Sequence, residues 1–522
     1  MLVNNILIVN PKTPTTYWSF DKVFPFLGIK SAHSSLTLVT LAALVPKKYF
    51  CRLIDMNTDE LTDYDIGWAD AVLLTGWDIH REEMRGLIWR CNSYGKPVIV
   101  GGPFASTTPD AQELSSASAV FVGEAIDRKT FATLFSDLGS GSLKKRYQAA
   151  ARLPLSASPV PLFELLNFKK FADVTMQVSC GCPFRCEFCA EWKIAGAPRY
   201  KDEAQFLTEL DALYRTKFRG SVFIVDDNYI GNAPAALGMT KAIGDWQIRH
   251  KFPFSFYVQG DLRLADNEEL ARLMASAGFR AMFIGVESPS NATLVKMGKK
   301  QNVGIDVPAA FSRLRSWGIE PQCGLIVGND DDDHESFGAM ETLAREASAP
   351  RSMLGICVAM EGTDLRRRIE REGRLLQGEV GDQFDCTNIQ PKHMSLSELV
   401  SGHRMLLEKI YSPDAYFARS FRSIKELKLV HRFPVGLREI RAAVLSLLFQ
   451  GILAPYRGEY WKFLFKVLFH DPRKIGQMFA AAVVYAHFYG YTRELLRGLP
   501  ALLERIKGIE KRNKPYLTVV TG

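Results

Sequence analysis

Three cysteines, Cys182, Cys186 and Cys189, stand in C-x3-C-x2-C spacing within Ser179-Cys180-Gly181-Cys182-Pro183-Phe184-Arg185-Cys186-Glu187-Phe188-Cys189. Three thiolates on so tight a loop match three corners of an iron–sulfur cubane and leave its fourth iron open to another ligand. A structural zinc site would need a fourth Cys or His at a suitable distance. Cys180 is the candidate, although C-x-C spacing is unusual for that role and no second C-x2-C pair lies nearby. Four unrelated buried thiols are the remaining alternative. The other residues able to do chemistry fall where short apolar runs end. These are Asp226, Gln259, Asp261 and Glu287 in the middle of the chain, and Gly76-Trp77, Gly101-Gly102 and Gly123-Glu124 nearer its start. Glycines at such ends either admit a ligand close to the backbone or serve turn geometry, and an acidic residue there equally caps the next helix. No catalytic acid or base stands out.

The elements that must position these residues read as two strand–helix series. Asn5–Asn10, Phe50–Asp55, Ala71–Thr75, Val98–Gly101 and Ala119–Gly123 are short β-branched runs with helical patterns between them (Leu36–Leu44, Glu82–Tyr94). Continuous rather than alternating apolar strands imply burial on both faces, hence a parallel doubly wound sheet whose ligand crevice lies beyond the strand C-termini. Residues 136–172, rich in Ser, Pro and basic side chains, read as a linker. Thr175–Ser179, Ser221–Asp226, Phe254–Gln259, Ala281–Glu287, Gln322–Gly328 and Met353–Met360 form a second series, about six βα units without a closing pair. That pattern predicts a partial barrel with its site at the C-terminal strand ends. From about residue 395 only helical patterns remain, among them Ser397–Ile410, Leu437–Phe449, Trp461–Leu468, Lys474–Phe488 and Tyr491–Arg497. The expected organisation is 1–135, 136–172 (linker), 173–394 and 395–522.

Composition sets the bounds. The 522 residues are 47% hydrophobic and 23% charged, with nine cysteines, which excludes disordered, collagen-like and disulfide-stapled chains. No export signal is visible and no apolar run reaches the roughly 18 residues of a transmembrane helix. The expectation is a reducing cytoplasm, where clustered thiols mean metal or catalysis. The net charge of +8 is uneven. Residues 401–522 carry 21 Lys and Arg against 9 Asp and Glu, so the first 400 residues are net acidic. Such a tail is either a solvated face over an ordinary core or a surface for anionic lipid or an amphipathic substrate. No RNA-binding motif accompanies it, and no nucleic-acid partner is expected.

With Phe188 in the aromatic place, Cys182-x3-Cys186-x-Phe188-Cys189 resembles the signature of the radical S-adenosylmethionine superfamily. The resemblance implies a [4Fe–4S] cluster on the three cysteines, with S-adenosylmethionine chelating the open iron and yielding a 5′-deoxyadenosyl radical after electron transfer from a flavodoxin- or ferredoxin-type donor. Asp226, Gln259, Asp261 and Glu287 occupy strand ends where that family contacts S-adenosylmethionine. A doubly wound domain ahead of such a barrel resembles the cobalamin-binding class. Tyr17-Trp18-Ser19-Phe20, Leu41–Leu44, Gly101-Gly102-Pro103, Val122-Gly123-Glu124, Phe223–Asn232 and Ile410–Pro413 are similar to the subfamily of hopanoid C-methylases and bacteriochlorophyll side-chain methylases, over nearly the whole chain. The resemblance implies cobalamin held by Gly76, Trp77, Gly101, Gly102, Gly123 and Glu124. No D-x-H-x-x-G motif is present, so no histidine is expected on cobalt, and His80 is read as solvated or capping. Relatives usually carry Arg where Cys180 stands, and often an acidic residue where this chain has Ala190.

The implied fold is α/β: an N-terminal doubly wound cobalamin-binding domain, a partial (β/α)6 radical SAM barrel and a helical C-terminal domain. The implied function is cobalamin-dependent C-methylation of an unactivated carbon on a small-molecule or lipid-like substrate. The alternative keeps both cofactors but performs a non-methylating rearrangement or ring modification. A cluster-containing regulatory protein without turnover is the third reading. The expected location is cytoplasmic, with a peripheral contact at the inner membrane face as the membrane-binding version of the basic tail.

Overall fold

The computed structural model describes residues 3–376 and 383–517; for Lys193 and residues 513–517 only the backbone is described. The outermost ends of the first and last expected domains, residues 1–2 and 518–522, lie outside the described residues. The chain divides into two compact units. The first comprises the chain up to Thr15, Ile29–Cys182 and Glu191–Asp227; the second comprises Thr16–Gly28, Pro183–Ala190 and the chain from Asn228 onward.

In the first unit, strands β1 (Asn5–Asn10), β2 (Ser31–His33), β3 (Phe50–Asp55), β4 (Ala71–Thr75), β5 (Val98–Gly101), β6 (Ala119–Val122) and β7 (Arg146–Gln148) precede β8 (Phe171–Met176). Six of these form one parallel sheet in the order β3-β1-β4-β5-β6-β7. Alternate residues of each strand serve opposite faces. Leu7, Val72, Leu74, Val98, Val100 and Val120 pack with Met84, Leu87 and Ile88 of the Arg81–Ser93 helix. Ile6, Ile8, Leu73, Ile99 and Phe121 pack with Leu38 of the Leu36–Leu44 helix and Phe131 and Leu134 of the Arg128–Ser140 helix. Burial on both faces is why these strands read as unbroken apolar runs. The stretch expected as a linker is not structureless: the Arg128–Ser140 helix runs into it and β7 adds the sheet's edge strand. Three-residue strands such as β2 and β7 are too short to produce a periodic signal.

The first unit also holds β9 (Ser179–Cys180), β10 (Arg199–Tyr200) and β11 (Gly220–Ile224). β2 pairs with β8 and β8 with β11, all parallel, while β9 and β10 form a two-residue antiparallel hairpin. In the second unit, β12 (Phe254–Gly260), β13 (Phe279–Glu287), β14 (Glu320–Val327) and β15 (Ser352–Ile356) pair successively in parallel. Helices Ala233–Arg249, Glu268–Ser276, Val307–Trp317 and His334–Ala347 alternate with them. Beyond residue 395 the structure is helical, as expected, with one correction: the two final helices are a single helix, Ile475–Leu517. Tyr17 is buried among Phe384, Tyr411, Phe488 and Tyr491, and it hydrogen bonds Thr492 at 2.6 Å, so the Thr16–Gly28 segment is stitched to that helix.

Candidate functional site

The strand ends of the first sheet are tied together by one backbone bond and by the Ser106 hydroxyl. The Phe104 N–H donates to Gly76 O, Ser106 Oγ donates to Gly102 O, and the Gly123 N–H donates to Ser106 Oγ, at 2.8–3.1 Å. Gly102 has φ +91°, and a Cβ there would stand 2.5 Å from Thr75 Oγ1, so only glycine lets this turn pass. The mouth so formed is backbone-lined, and the Trp77 indole stands half-exposed beside it. His80 is buried beneath: Nδ1 accepts from the Trp77 N–H at 3.0 Å and Nε2 faces Thr13 Oγ1 at 3.1 Å. Burial pushes its pKa down to about 4, so it is a neutral imidazole with both nitrogens engaged.

Glu124 joins this mouth to the β9–β10 hairpin. The Arg199 guanidinium donates to both Glu124 oxygens, at 2.8 and 2.5 Å, and to Cys180 Sγ at 3.4 Å; the Cys180 thiol lies 3.8 Å from Glu124 Oε1. Burial, with Asp227 adding, pushes the Cys180 pKa up to about 12, so its sulfur is a protonated member of a polar cluster. Next along the chain, the Gly181 N–H donates to Asp227 Oδ2 at 2.6 Å. Gly181 has φ +95°, and a Cβ there would meet the Gly196 carbonyl at 2.6 Å. Asp226 is fully buried and accepts from the Val178 N–H, the Ser179 N–H and Ser179 Oγ at 2.6–2.8 Å. Its desolvation outweighs those bonds and raises its pKa to about 7.

In the second unit, Cys186 is buried, with Gln301 Nε2 at 3.9 Å from its sulfur. The Lys299 ammonium nearby pairs with Glu287 at 2.7 Å. Burial lowers the Lys299 pKa, but Glu287 and the sulfurs of Cys186 and Cys189 more than offset it and hold it above the ordinary lysine value. Glu287 has φ +70° at a register shift in β13, and a Cβ on Gly285 would overlap its carboxylate. A non-glycine residue held there costs about 1–3 kcal/mol and is characteristic of functional positions. Glu187, between the second and third cysteines, is gripped by Arg368, and its backbone bonds Met297 O and the Leu365 N–H. Asp261 is buried, accepting from Arg263 Nε and Nη2 at 2.8 Å and from Asn228 Nδ2 at 2.7 Å.

Three of the four expected S-adenosylmethionine contacts, Asp226, Asp261 and Glu287, thus have their carboxylates engaged by protein donors; Gln259 lends its carbonyl to the Tyr229 N–H. Asn228 Oδ1 and Gln301 Oε1 are among the buried acceptors that have no partner among the described residues. Asn228 lies inside the Phe223–Asn232 run, whereas Lys299, Gln301 and Arg368 carried no sequence signal. Among the described residues, no three His, Cys, Asp or Glu side chains converge on a single metal ion. Thiolates of a cubane sit on different irons, so a one-metal geometry is not what the loop requires.

Residues 176–344 match the radical SAM superfamily, and residues 363–500 match a domain of unknown function, DUF4070. An uncharacterized methyltransferase of Synechocystis sp. is 30% identical over 94% of this chain and 92% of its own length. The hopanoid C-2 methylase of Rhodopseudomonas palustris is 29% identical over 94% of each. Among solved structures, the cobalamin-dependent S-adenosylmethionine radical enzyme OxsB shares the fold at TM-score 0.60 and 15% identity, over 99% of this chain and 84% of that one. TsrM from Kitasatospora setae does so at 0.56 and 14%, over 89% and 99%. The fold is therefore the expected one, with a parallel half-barrel and a helical C-terminal region. The chain belongs to the radical S-adenosylmethionine superfamily, in the family of the Synechocystis methyltransferase that it matches along nearly its whole length.

Proposed function

We propose that this protein is a cobalamin-dependent radical SAM C-methyltransferase acting on an unactivated carbon of a small-molecule or lipid-like substrate. The Glu124–Arg199–Cys180 cluster carries the reading. One carboxylate at the mouth of the doubly wound sheet is bound to the β9–β10 hairpin that leads into Cys182. Kinship with a hopanoid C-2 methylase along nearly the whole chain supports the lipid-like substrate.

The residues fit the implied groups. Cys182, Cys186 and Cys189, none in a disulfide, would hold the cluster. The glycine-lined mouth at Gly76, Gly101, Gly102 and Gly123, with Trp77 and Glu124, would hold cobalamin. In the second unit Asn228 Oδ1 and Gln301 Oε1 offer S-adenosylmethionine unfilled acceptors, alongside the expected contacts Gln259, Asp261 and Glu287, and Asp226 is the expected contact in the first unit. When bound, the cluster supplies an electron, S-adenosylmethionine the fragment that removes a hydrogen atom, and cobalamin the methyl group. The protein's own part is to fix and shield these stations. Asp226 holds the Val178-Ser179 approach to the loop, and Lys299 places positive charge beside Cys186, opposing the burial that on balance raises that thiol's pKa. An external donor of flavodoxin or ferredoxin type supplies electrons. The four-part organisation 1–135, 136–172, 173–394 and 395–522 is proposed on the same basis, with a cytoplasmic location.

Anaerobic incubation with reductant, isotopically labelled methyl donor and extracted lipids, read by mass spectrometry, tests the reading. Label in a product with 5′-deoxyadenosine alongside is the expected result. The departures at Cys180 and Ala190 favour the non-methylating alternative as second reading; a rearranged product without label would establish it.

A further inference from the structure

We infer that the hairpin of helices Leu437–Leu448 and Arg457–His470 seats the enzyme on an anionic lipid surface. This deepens the proposed function by naming where a lipid-like substrate is met, and it rests on that reading for the substrate alone.

Leu437, Ile440, Val444 and Leu448 recur every three or four residues and so form one stripe of the first helix. All four are exposed, Leu437 by 87%. The stripe continues through Ile452 and Leu453, also exposed, in the π turn Phe449–Leu453. The opposite side is already satisfied: Ser446 Oγ meets the Tyr460 hydroxyl at 3.0 Å, and Gln450 Nε2 donates to Ala482 O at 2.6 Å. On the second helix Trp461, Phe465 and Phe469 stack in succession, with Phe469 85% exposed. Trp461 Nε1 donates to Gly451 O at 2.7 Å, and a Cβ on Gly451 would press on the indole at 3.3 Å. The two stripes therefore meet at Gly451 and Ile452 as one surface.

A merely solvated face would carry charges at positions 437, 440, 444 and 448. Contiguous exposed aliphatic and aromatic side chains instead mark a surface built to be covered. Charge selects what covers it. Residues 431–470 hold six Arg and Lys against two Glu, with Lys462 and Lys466 exposed among the aromatic stripe. A second copy of the chain would set that basic surface against itself, whereas anionic headgroups complement it. No helix among the described residues is long and apolar enough to cross a membrane, so the hairpin would lie in the interface, apolar stripes inward and basic side chains at headgroup level.

Sedimentation of the full chain with vesicles of phosphatidylcholine, with and without phosphatidylglycerol, decides the matter. Binding should need the anionic lipid and weaken with salt. Leu437→Glu with Phe469→Glu should lower the partition coefficient about a hundredfold, because each change withdraws apolar area and adds repelled charge. Lys462→Gln with Lys466→Gln should lower it about fivefold per residue. These side chains are exposed, so unchanged circular dichroism and melting confirm that the variants fold. Equal binding to neutral and anionic vesicles overturns the inference, as does binding indifferent to the Glu variants or a dimer that those variants dissolve. The readout needs no turnover, so its failure and that of the methyl-transfer reading are separable.

Discussion

Arg368 grips Glu187 at two points, Nε to Oε2 at 3.0 Å and Nη2 to Oε1 at 2.8 Å, and Glu187 is the residue that follows Cys186 in the cysteine motif. The third arm of the fork, Nη1, donates to Asp330, which Arg374 and Lys392 also hold at 2.9 and 3.1 Å. Burial alone would raise the Asp330 pKa, but these cations bring it down to about 2. Arg368, Arg374 and Lys392 all lie within the DUF4070 match, so that domain contributes directly to holding the loop.

Arg368→Ala should therefore lower the iron and sulfide retained per chain and speed their loss to a chelator. A charge-assisted bond of this kind is worth about 1.5–3 kcal/mol, and partial exposure puts this one at the lower end. Arg368→Lys should rescue only part, because an ammonium cannot make the paired contact. The check is iron content with the electron paramagnetic resonance spectrum of the reduced cluster. Full retention in Arg368→Ala would show the grip to be incidental.

Cys180→Ser should keep its cluster, whereas substitution of Cys182, Cys186 and Cys189 together by Ala should abolish it. The Cys180 sulfur is engaged with Arg199 and Glu124 on a strand that precedes the loop. Arg199→Ala should leave iron near normal but weaken cobalamin retention about tenfold, since Glu124 loses its bidentate partner at the mouth. Paired iron and cobalt analysis reads both outcomes at once.

The cysteine loop, the strand ends and most strands were legible because each rests on local chemistry: a spacing, a turn glycine, a run of β-branched residues buried on two faces. What stayed hidden depends on partners distant in sequence. Arg368 looks like one cation among several in Asp364–Arg371, and nothing near it announces Glu187. The sequence pattern predicts two helices, Lys474–Phe488 and Tyr491–Arg497, on either side of Gly490. Yet the helix runs through it, and a Cβ there would only crowd the flexible Lys22 stem. Asp226, Asp261 and Glu287 were found as positions, while their donors, supplied by the fold, set what they do.

His80 should give no nitrogen superhyperfine splitting in the Co(II) spectrum of bound cobalamin, since Nδ1 already accepts from the Trp77 N–H and Thr13 occupies Nε2. His80→Ala should leave the spectrum unchanged while lowering the melting temperature. A nitrogen-split signal lost in that variant would reverse the assignment.

His403 gives the sharpest pH test. It is fully buried, its Nε2 donates to Leu354 O at 3.0 Å, and Arg404 Nη1 donates to its Nδ1 at 2.8 Å. Desolvation, reinforced by the Arg404 charge, pushes its pKa down to about 3. The unfolded chain takes up that proton near pH 6.5 while the folded chain refuses it. The stability tied to neutral His403 is therefore whole above pH 6.5 and is lost as pH falls toward 3. At pH 5 the loss from this residue is about 2 kcal/mol, one and a half units at 1.36 kcal/mol each. Glutamine can offer a similar donor and acceptor without titrating, so His403→Gln should lose less stability than the wild type between pH 7 and pH 5. Asp226 and Glu191, both raised to about 7 by burial, act with the opposite sign in both proteins and cancel in that difference. Denaturant unfolding of the two proteins at both pH values measures it, and parallel losses would show that His403 is charged in the folded protein.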